Sequence, residues 1–584
     1  MKGIEVLEKN KDWKKTIIIG ILILASFILL SILPLGHDLW YHIYRIGTMA
    51  AELEKNPLQL PIRMLSESYN GYGYGAALYY GDLFLYIPAI LVRFGMGEVI
   101  AYKIFTVLIL WGTFGVAYYS AGLMKKEKEM CLFFALFYTF SSCSLLNLCV
   151  RSSVGESLAF MFLPLVVSSF WNILYREKEN KNWILLAFAM SAVAVSHMLT
   201  LVLITVVLCV WCVLEIKKVF VKKKVTEIIK AAGFMVGLSA SFLFPMFEQM
   251  LFQKVQTPEN NDYQKMAFLD YAIDWMDYFI PYEVKKILVT LFSFSWDIEY
   301  WHPGTIGLFL FVIGGAWMML KSNLNKKQRG VIAVSVIALI LLGIMPAMNI
   351  VKEFMSFMQF PWRILPVITL GLSFGGIWIL ENAKGEERKI NTVKWCMLMG
   401  TFMIAGLAIG PRYTYHIYVQ RDDYAYIREN NPDFYEEYLV RYDKNAGDAL
   451  YLPQGVPLNR YLERGDVVTV NREDILYQWQ RKADGIYIQI EENPYKDGVL
   501  ELPLYMYKGY TAKTVEGEIL PVTKSENGLV SVEISDSIGE IRVWYEGTLV
   551  QKIADMITLL TVLIFLCGYR IAACKSNKDT GYVI

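Results

Sequence analysis

Long runs of uninterrupted apolar residues leave this chain few architectures. Spanning about 30 Å of hydrocarbon takes roughly 20 apolar residues in a helix. The 584-residue sequence offers about twelve such runs: 16–34, 99–123, 131–149, 157–174, 182–197, 199–216, 229–247, 304–320, 330–346, 364–381, 393–410 and 551–573. In lipid every backbone N–H and C=O must bond within its own segment, so such runs become helices. The expected fold is an all-α polytopic membrane bundle of about 12 transmembrane helices. With 55% apolar and only 19% charged residues, the composition suits a multi-pass chain. A net charge of +1 removes any global electrostatic case for nucleic acid.

Basic clusters fall between alternate runs: Lys125-Lys126-Glu127-Lys128, Arg176-Glu177-Lys178, Lys217-Lys218 with Lys222-Lys223-Lys224, Lys326-Lys327-Gln328-Arg329 and Arg388-Lys389. The N-terminal tail adds Lys9, Lys11, Lys14 and Lys15. All lie on one side if both termini are cytoplasmic, as the positive-inside rule requires. Pro34-Leu35-Gly36-His37 follows the first run where a signal peptide would carry a small-x-small site, so that run reads as a retained anchor. The chain is expected to cross a cell membrane many times, with residues 35–98, the turn Arg151 to Glu156, residues 248–303 and residues 411–550 outside. All five histidines, His37, His42, His197, His302 and His416, then lie outside or at the outer membrane edge.

All eight cysteines lie in or beside apolar runs, which excludes a disulfide-stapled outer domain, and Cys209 with Cys212 reads as membrane packing. Residues 39–54 place Leu39, Ile43, Ile46, Met49, Ala50 and Leu53 at three- and four-residue spacings, the pattern of an amphipathic interfacial helix. Leu83 to Phe94, interrupted by Pro88, reads as a second interfacial or re-entrant helix; counting it as a span would invert the topology of everything after it. Segment 411–550 changes character. Alternating runs at Gly485–Ile490, Gly498–Pro503, Gly528–Ile534 and Gly539–Tyr545 predict antiparallel strands, hence an extracytoplasmic β-sandwich-like domain before the last helix. The expected units are a membrane domain at 1–410 with the first outer loop 35–98, a β-rich domain at 411–550, and the last helix and tail at 551–584.

Asp38 follows the first anchor by four residues, within Gly36-His37-Asp38-Leu39-Trp40-Tyr41-His42-Ile43-Tyr44-Arg45. A partly desolvated carboxylate at a membrane edge has the proton affinity of a useful general base. Asp is equally a favoured N-cap, and the two roles are compatible. Arg151 and Glu156 form either a structural ion pair or an anion site for a lipid phosphate, for which Arg offers a fixed fork of donors. His197, Glu248 and Arg363 sit at further outer edges, where interface anchoring is the alternative. No His-x-x-x-His or Cys/His metal spacing occurs, and Gly71-x-Gly73-x-Gly75 follows no strand, which argues against metal centres and nucleotide cradles.

On these residues the chain resembles the bacterial GT-C superfamily of integral-membrane glycosyltransferases. It is most similar to the YfhO-like proteins, also grouped as "6-pyruvoyl-tetrahydropterin synthase related", a historical label that implies no pterin chemistry. The carriers are Gly36-His37-Asp38-x-x-x-His42-x-x-Arg45, Tyr72-Gly73-Tyr74-Gly75 with Tyr79-Tyr80-Gly81, the Arg151 to Glu156 turn, Phe360-Pro361-Trp362-Arg363, Leu502 to Tyr510, and Val543-Trp-Tyr-Glu-Gly547. The resemblance implies an enzyme that passes a sugar from a polyprenyl-phosphate donor to an acceptor on the outer face, usually with inversion. It implies that Asp38 is the catalytic base, flanked by His37 where many relatives carry a second acid. Arg151, Arg363 and His197 are the candidates for the donor phosphate, with His42, Arg45, Tyr72, Tyr74, Tyr80, Glu156 and Glu248 binding substrate or supporting the site. The implied partners are a polyprenyl-phosphate-linked sugar, membrane lipid and a surface glycan. No cofactor is demanded, and assistance by a divalent cation stays open. The competing readings are a lipid-linked glycan flippase or transporter, which predicts discontinuous helices in symmetric halves, and a non-catalytic assembly factor.

Overall fold

The computed structural model describes residues 17, 19–31, 38–57, 60–176, 182–255, 306–344, 361–406, 451–456, 464–495, 497–534 and 539–580. In chain order the helices are α1 Ile19–Ser31, α2 Leu39–Lys55, α3 Tyr86–Arg93, α4 Glu98–Leu123, α5 Lys128–Thr139 and α6 Ser142–Leu145. Next come α7 Val154–Tyr175, α8 Asn182–Ala194, α9 Met198–Leu214, α10 Ile216–Val219, α11 Lys222–Phe252, α12 Ile306–Leu320 and α13 Lys326–Ile344. The last are α14 Leu365–Glu381, α15 over 387–406 and α16 Leu549–Thr580. Among the described residues five helices are long and apolar enough to cross a membrane, or six if the bent pair in 128–150 counts as one. The chain is a multi-pass membrane protein. The remaining expected runs carry helices that are shorter or more charged, such as α8, α9 and α12, and that test does not count them.

The predicted span 131–149 is not one rod. It breaks at Ser141, whose hydroxyl accepts from the Ser144 amide and so starts a new helix, with a bend of 47°. A π turn at Leu146–Val150 then widens the last turn before Arg151. Single π turns inside helices recur at functional sites because they rotate the following side chains out of α-helical register.

α7 packs on α4 and α8, α11 on α8 and α16, and α14 on α5, α12 and α13. At the far end of α7 the cations of the basic clusters find partners: Lys126 with Glu381, Lys327 and Lys218 with Glu215, and Arg176 with the Leu123 carbonyl. At the near end, where α7 begins, the loop after α2 folds back over the bundle.

α2 matches the predicted interfacial helix almost residue for residue, but it is covered rather than half-exposed. Its apolar stripe is buried, and so are His42 and Arg45. Residues 60–86 cause this by laying Tyr69, Tyr72, Tyr74 and Tyr79 over the bundle end.

The β-rich segment forms two antiparallel sheets. One has four strands in the order β1-β4-β8-β7, the other five in the order β2-β3-β9-β5-β6. The strands are β1 Thr469–Val470, β2 Leu476–Lys482, β3 Gly485–Glu492, β4 Gly498–Tyr505, β5 Tyr510–Thr514, β6 Ile519–Leu520, β7 Val522–Lys524, β8 Leu529–Ile534 and β9 Gly539–Tyr545. The alternation read from sequence is the packing pattern: Ile486, Ile488 and Ile490 of one sheet share a core with Leu500, Leu502, Val530 and Val532 of the other. This core is separate from that of the bundle. Residues 411–450, the first part of the expected β-rich domain, lie outside the described residues.

Candidate active site

Asp38 occupies the N-cap position of α2, but its carboxylate makes no capping bond to the first-turn amides. Its main chain does the anchoring. The Asp38 amide donates to the Arg151 carbonyl at 3.2 Å, and its carbonyl accepts from the His42 amide at 3.1 Å. The start of α2 is thereby pinned to the turn between α6 and α7, which joins two parts of the sequence more than a hundred residues apart. Asp38 is half-buried, and its carboxylate acts electrostatically on Arg151, Arg363, Tyr41, Tyr80 and Tyr102. His37 lies outside the described residues.

Behind Asp38 stands a three-residue ion cluster. Arg151 grips Glu156 with both ends of its fork, Nη1 to Oε2 at 2.7 Å and Nη2 to Oε1 at 3.1 Å, and Nη1 also donates to Asn147 Oδ1 at 2.8 Å. Arg363, from the turn that leads into α14, donates from Nε to Glu156 Oε1 at 3.2 Å. Glu156 is 4% exposed, so this carboxylate is desolvated and answered by two guanidiniums. Two cations against one anion leave the cluster net positive. The Trp362 ring lies 6.0 Å from the Arg151 guanidinium.

His197 caps α9, its Nδ1 accepting from the Thr200 amide at 3.3 Å and pairing with Thr200 Oγ1 at 2.8 Å. Burial pushes its pKa down to about 4, with Glu156 opposing and Arg363 and Arg151 assisting the shift. The ring is therefore neutral at pH 7. The structure thus brings Asp38, Arg151, Glu156, Arg363 and His197 to one end of the bundle.

Two glycines make this convergence possible. A Cβ on Gly81 would lie 2.0 Å from the Val195 carbonyl oxygen, and one on Gly155 would lie 2.1 Å from the Tyr80 hydroxyl and 2.7 Å from the Ser196 carbonyl. Without side chains at these positions, the Tyr80-Gly81-Asp82 segment lies directly against the start of α7 and the α8–α9 turn.

Other expected site residues take up neighbouring or different posts. Arg45 lies between the Tyr41 and Tyr80 rings, 5.1 Å from each centroid. His42 packs edge-on to Tyr41 at 5.1 Å, and burial, then Arg45, holds its pKa well below the usual histidine value. Tyr72 and Tyr74 belong to the joint with the β-rich segment: the Tyr72 hydroxyl donates to the Gly465 carbonyl at 2.7 Å, and Tyr74 packs edge-on to Tyr69 at 5.4 Å. Glu248 is also part of that joint, bonded to the Thr548 hydroxyl at 2.5 Å and paired with Lys508 at 3.2 Å.

Sequence reasoning missed three neighbours. Asn147 stands four residues before Arg151, a spacing that puts both on one helical face and was there to be used. Asp82 directly follows the quoted Tyr79-Tyr80-Gly81 run. Tyr451, stacked on Tyr79 at 5.8 Å with 12° between the ring planes, offered no local signal. Among the described residues, no group of three His, Cys, Asp or Glu side chains is placed to hold a metal ion.

No protein-family model and no curated protein matches the chain. Among solved structures it is similar to the arabinofuranosyltransferase AftD from mycobacteria, with a TM-score of 0.39 and 15% identity over 66% of this chain and 26% of that one. It is similar to ArnT from Cupriavidus metallidurans bound to undecaprenyl phosphate, with a TM-score of 0.31 and 10% identity over 71% of this chain and 80% of that one. It is also similar to the archaeal oligosaccharyltransferase AglB from Archaeoglobus fulgidus, in complex with an inhibitory peptide and a dolichol-phosphate. That likeness has a TM-score of 0.32 and 13% identity, covering 77% of this chain and 63% of that one. The chain spans about a quarter of the length of the arabinofuranosyltransferase, 26%.

Proposed function

We propose that this chain is a membrane glycosyltransferase that moves a sugar from a polyprenyl-phosphate donor to a hydroxyl of an extracytoplasmic glycan, with Asp38 as general base. The carrying observation is the seat of Asp38, fixed by its main chain to the Arg151 carbonyl, with its carboxylate in electrostatic reach of the Arg151 and Arg363 guanidiniums. Base and cations are what such a transfer needs at opposite ends of the breaking bond.

In this reading the acceptor oxygen attacks C1 of the sugar and loses its proton to Asp38. The bond from C1 to the phosphate oxygen breaks, and polyprenyl phosphate leaves with the electron pair. Charge grows on that phosphate in a water-poor site, where preorganised cations stabilise it most. Glu156 performs the preorganisation: by holding Arg151 and Arg363 from one side it fixes their forks before substrate arrives. Neutral His197 adds a hydrogen-bonding group and no charge. The prenyl tail lies in lipid against the exposed apolar helix faces.

Residues 1–410 form the catalytic membrane unit with its first outer loop, 411–550 an extracytoplasmic unit that guides a polymeric acceptor, and 551–584 the last helix and tail. Both termini are cytoplasmic, and the end of the bundle that carries Asp38 faces outward. The test compares surface glycans by mass spectrometry in wild type, a deletion strain and Asp38→Asn at matched membrane insertion. Asp38→Asn is expected to reproduce the deletion, its transfer rate down on the order of 10²- to 10⁴-fold. Wild-type glycans in the variant, with loss in the deletion, would remove Asp38 from the mechanism.

A further inference from the structure

Tyr451 has a left-handed backbone, φ 67°, a conformation that bulky side chains avoid. Strain of this kind persists only where the surroundings impose it, and it gathers at functional sites. Here the surroundings are a peg. Residues 451–456 run from the β-rich segment into the bundle, where Leu452 and Val456 are buried in the bundle core. Val255, just past the end of α11, forms a β-bridge with Pro453, and the Gln454 amide donates to the Lys254 carbonyl at 3.0 Å. The Tyr451 carbonyl accepts from the Tyr507 hydroxyl at 3.0 Å, which fixes the head of the peg to the segment after β4.

The peg carries the Tyr451 side chain to the candidate active site. Its ring stacks on Tyr79 and meets the Tyr80 ring at 6.2 Å and 48°. Its phenol is in electrostatic reach of Arg363, Arg45 and Tyr41, and Tyr80 beside it is in reach of Asp38 and Glu156. Tyr451 is only half-buried. One side chain of the β-rich segment thereby joins the groups that α2, α7 and the turn into α14 bring together.

We propose that Tyr451 is a substrate-contacting residue lent to the active site by the β-rich segment, its hydroxyl hydrogen-bonding a sugar hydroxyl of the acceptor glycan. The assignment rests on the glycosyltransferase reading. A phenol hydroxyl both donates and accepts, as a sugar hydroxyl does. It carries no charge, and the Arg151 and Arg363 guanidiniums are the stronger partners for the donor phosphate. The acceptor is the occupant because the segment that presents Tyr451 is the one that guides it. The six residues that fasten this segment to the bundle also place Tyr451, so a polymer held by the segment arrives in register with Asp38.

Two variants separate contact from support. Tyr451→Phe keeps the ring, its stack on Tyr79 and the backbone, and removes only the hydroxyl. It should melt like the wild type, raise KM for the acceptor about 2- to 12-fold and leave KM for the donor unchanged. Tyr451→Asn removes the ring while tolerating the left-handed backbone, and should raise the acceptor KM further. Binding is measured without turnover as retention of surface glycan, purified from a deletion strain, on the immobilised full-length protein in detergent. The wild type should retain the glycan and Tyr451→Phe should retain less. Wild-type acceptor KM and retention in Tyr451→Phe would overturn the proposal, as would a rise in donor KM instead or a wild type that retains no glycan. A wild type that retains the glycan through Tyr451 but transfers no sugar would overturn the glycosyltransferase reading and leave the contact standing.

Discussion

Glu156 shows how unevenly a buried ion cluster responds to the loss of one member. Replacing the whole cluster by apolar groups can be nearly neutral, whereas removing one charge strands the others out of water at about 3–5 kcal/mol. Glu156→Gln leaves two guanidiniums facing each other with a neutral amide between them. It should lower the melting temperature in detergent by several degrees, and Arg151→Gln added to it should restore part of the loss. A melting curve that superimposes on wild type would show that the cluster adds no cooperative stability. His197 predicts a pH effect of definite sign. Its ordinary pKa is about 6.5, and the folded value is near 4, so between these pH values the unfolded chain binds a proton that the folded chain refuses. Stability is fully present above about pH 6.5 and is lost as pH falls toward 4. His197→Asn keeps a capping group, since Asn is a good N-cap, and should flatten that dependence in chemical denaturation measured from pH 7 to 4.

Among elements, the turn over Tyr80-Gly81-Asp82 depends most on a missing atom. In Gly81→Ala the new methyl meets a main-chain oxygen, which cannot swing aside as a side chain would. Overpacking of this kind costs about 1–3 kcal/mol, and the strain falls where Tyr80 meets the Arg151 to Glu156 turn. The variant should insert normally, melt earlier and lose transfer activity; full activity would mean that the loop and the α8–α9 turn can separate without consequence. This dependence marks the limit of what the sequence discloses. α2 was legible because Leu39, Ile43, Ile46, Met49 and Leu53 repeat at the helical period, and β3, β4, β8 and β9 because Gly, Asp or Asn breaks frame period-two runs. The Arg151 to Glu156 turn was legible as charge at the end of an apolar run. The bend at Ser141 was not, since two serines hardly change the hydropathy of 131–149 while a single hydroxyl suffices to start a new helix. Nor was Asp82: what makes it unusual is its enclosure beside His42 and Arg45 under residues more than seventy positions later, and no local pattern encodes that.

At the scale of the molecule, the bundle and the β-rich segment are joined by main-chain bonds as well as side chains. The Tyr505 amide donates to the Tyr72 carbonyl at 2.9 Å, Arg481 to the Gly71 carbonyl at 2.8 Å, and Gln249 exchanges two hydrogen bonds with the Lys508 backbone, at 2.6 and 3.0 Å. Gln253 adds one to the Met506 carbonyl at 2.6 Å. At about 0.5–1.5 kcal/mol per bond, Gln249→Ala with Gln253→Ala should loosen the joint without unfolding either core. Limited trypsin digestion should then cut between the two faster, at unchanged helix content by circular dichroism. Digestion at the wild-type rate would assign the joint to the tyrosines, Arg481 and Glu248 instead. The same joint bears on how the protein is made. Tyr72 lies 393 residues ahead of its partner Gly465, and at about 5–20 residues per second the ribosome takes roughly 20 to 80 s to bridge that gap. For that interval the cover over α2 waits without the strands that hold it down, exposing a patch of tyrosines that a chaperone can grip.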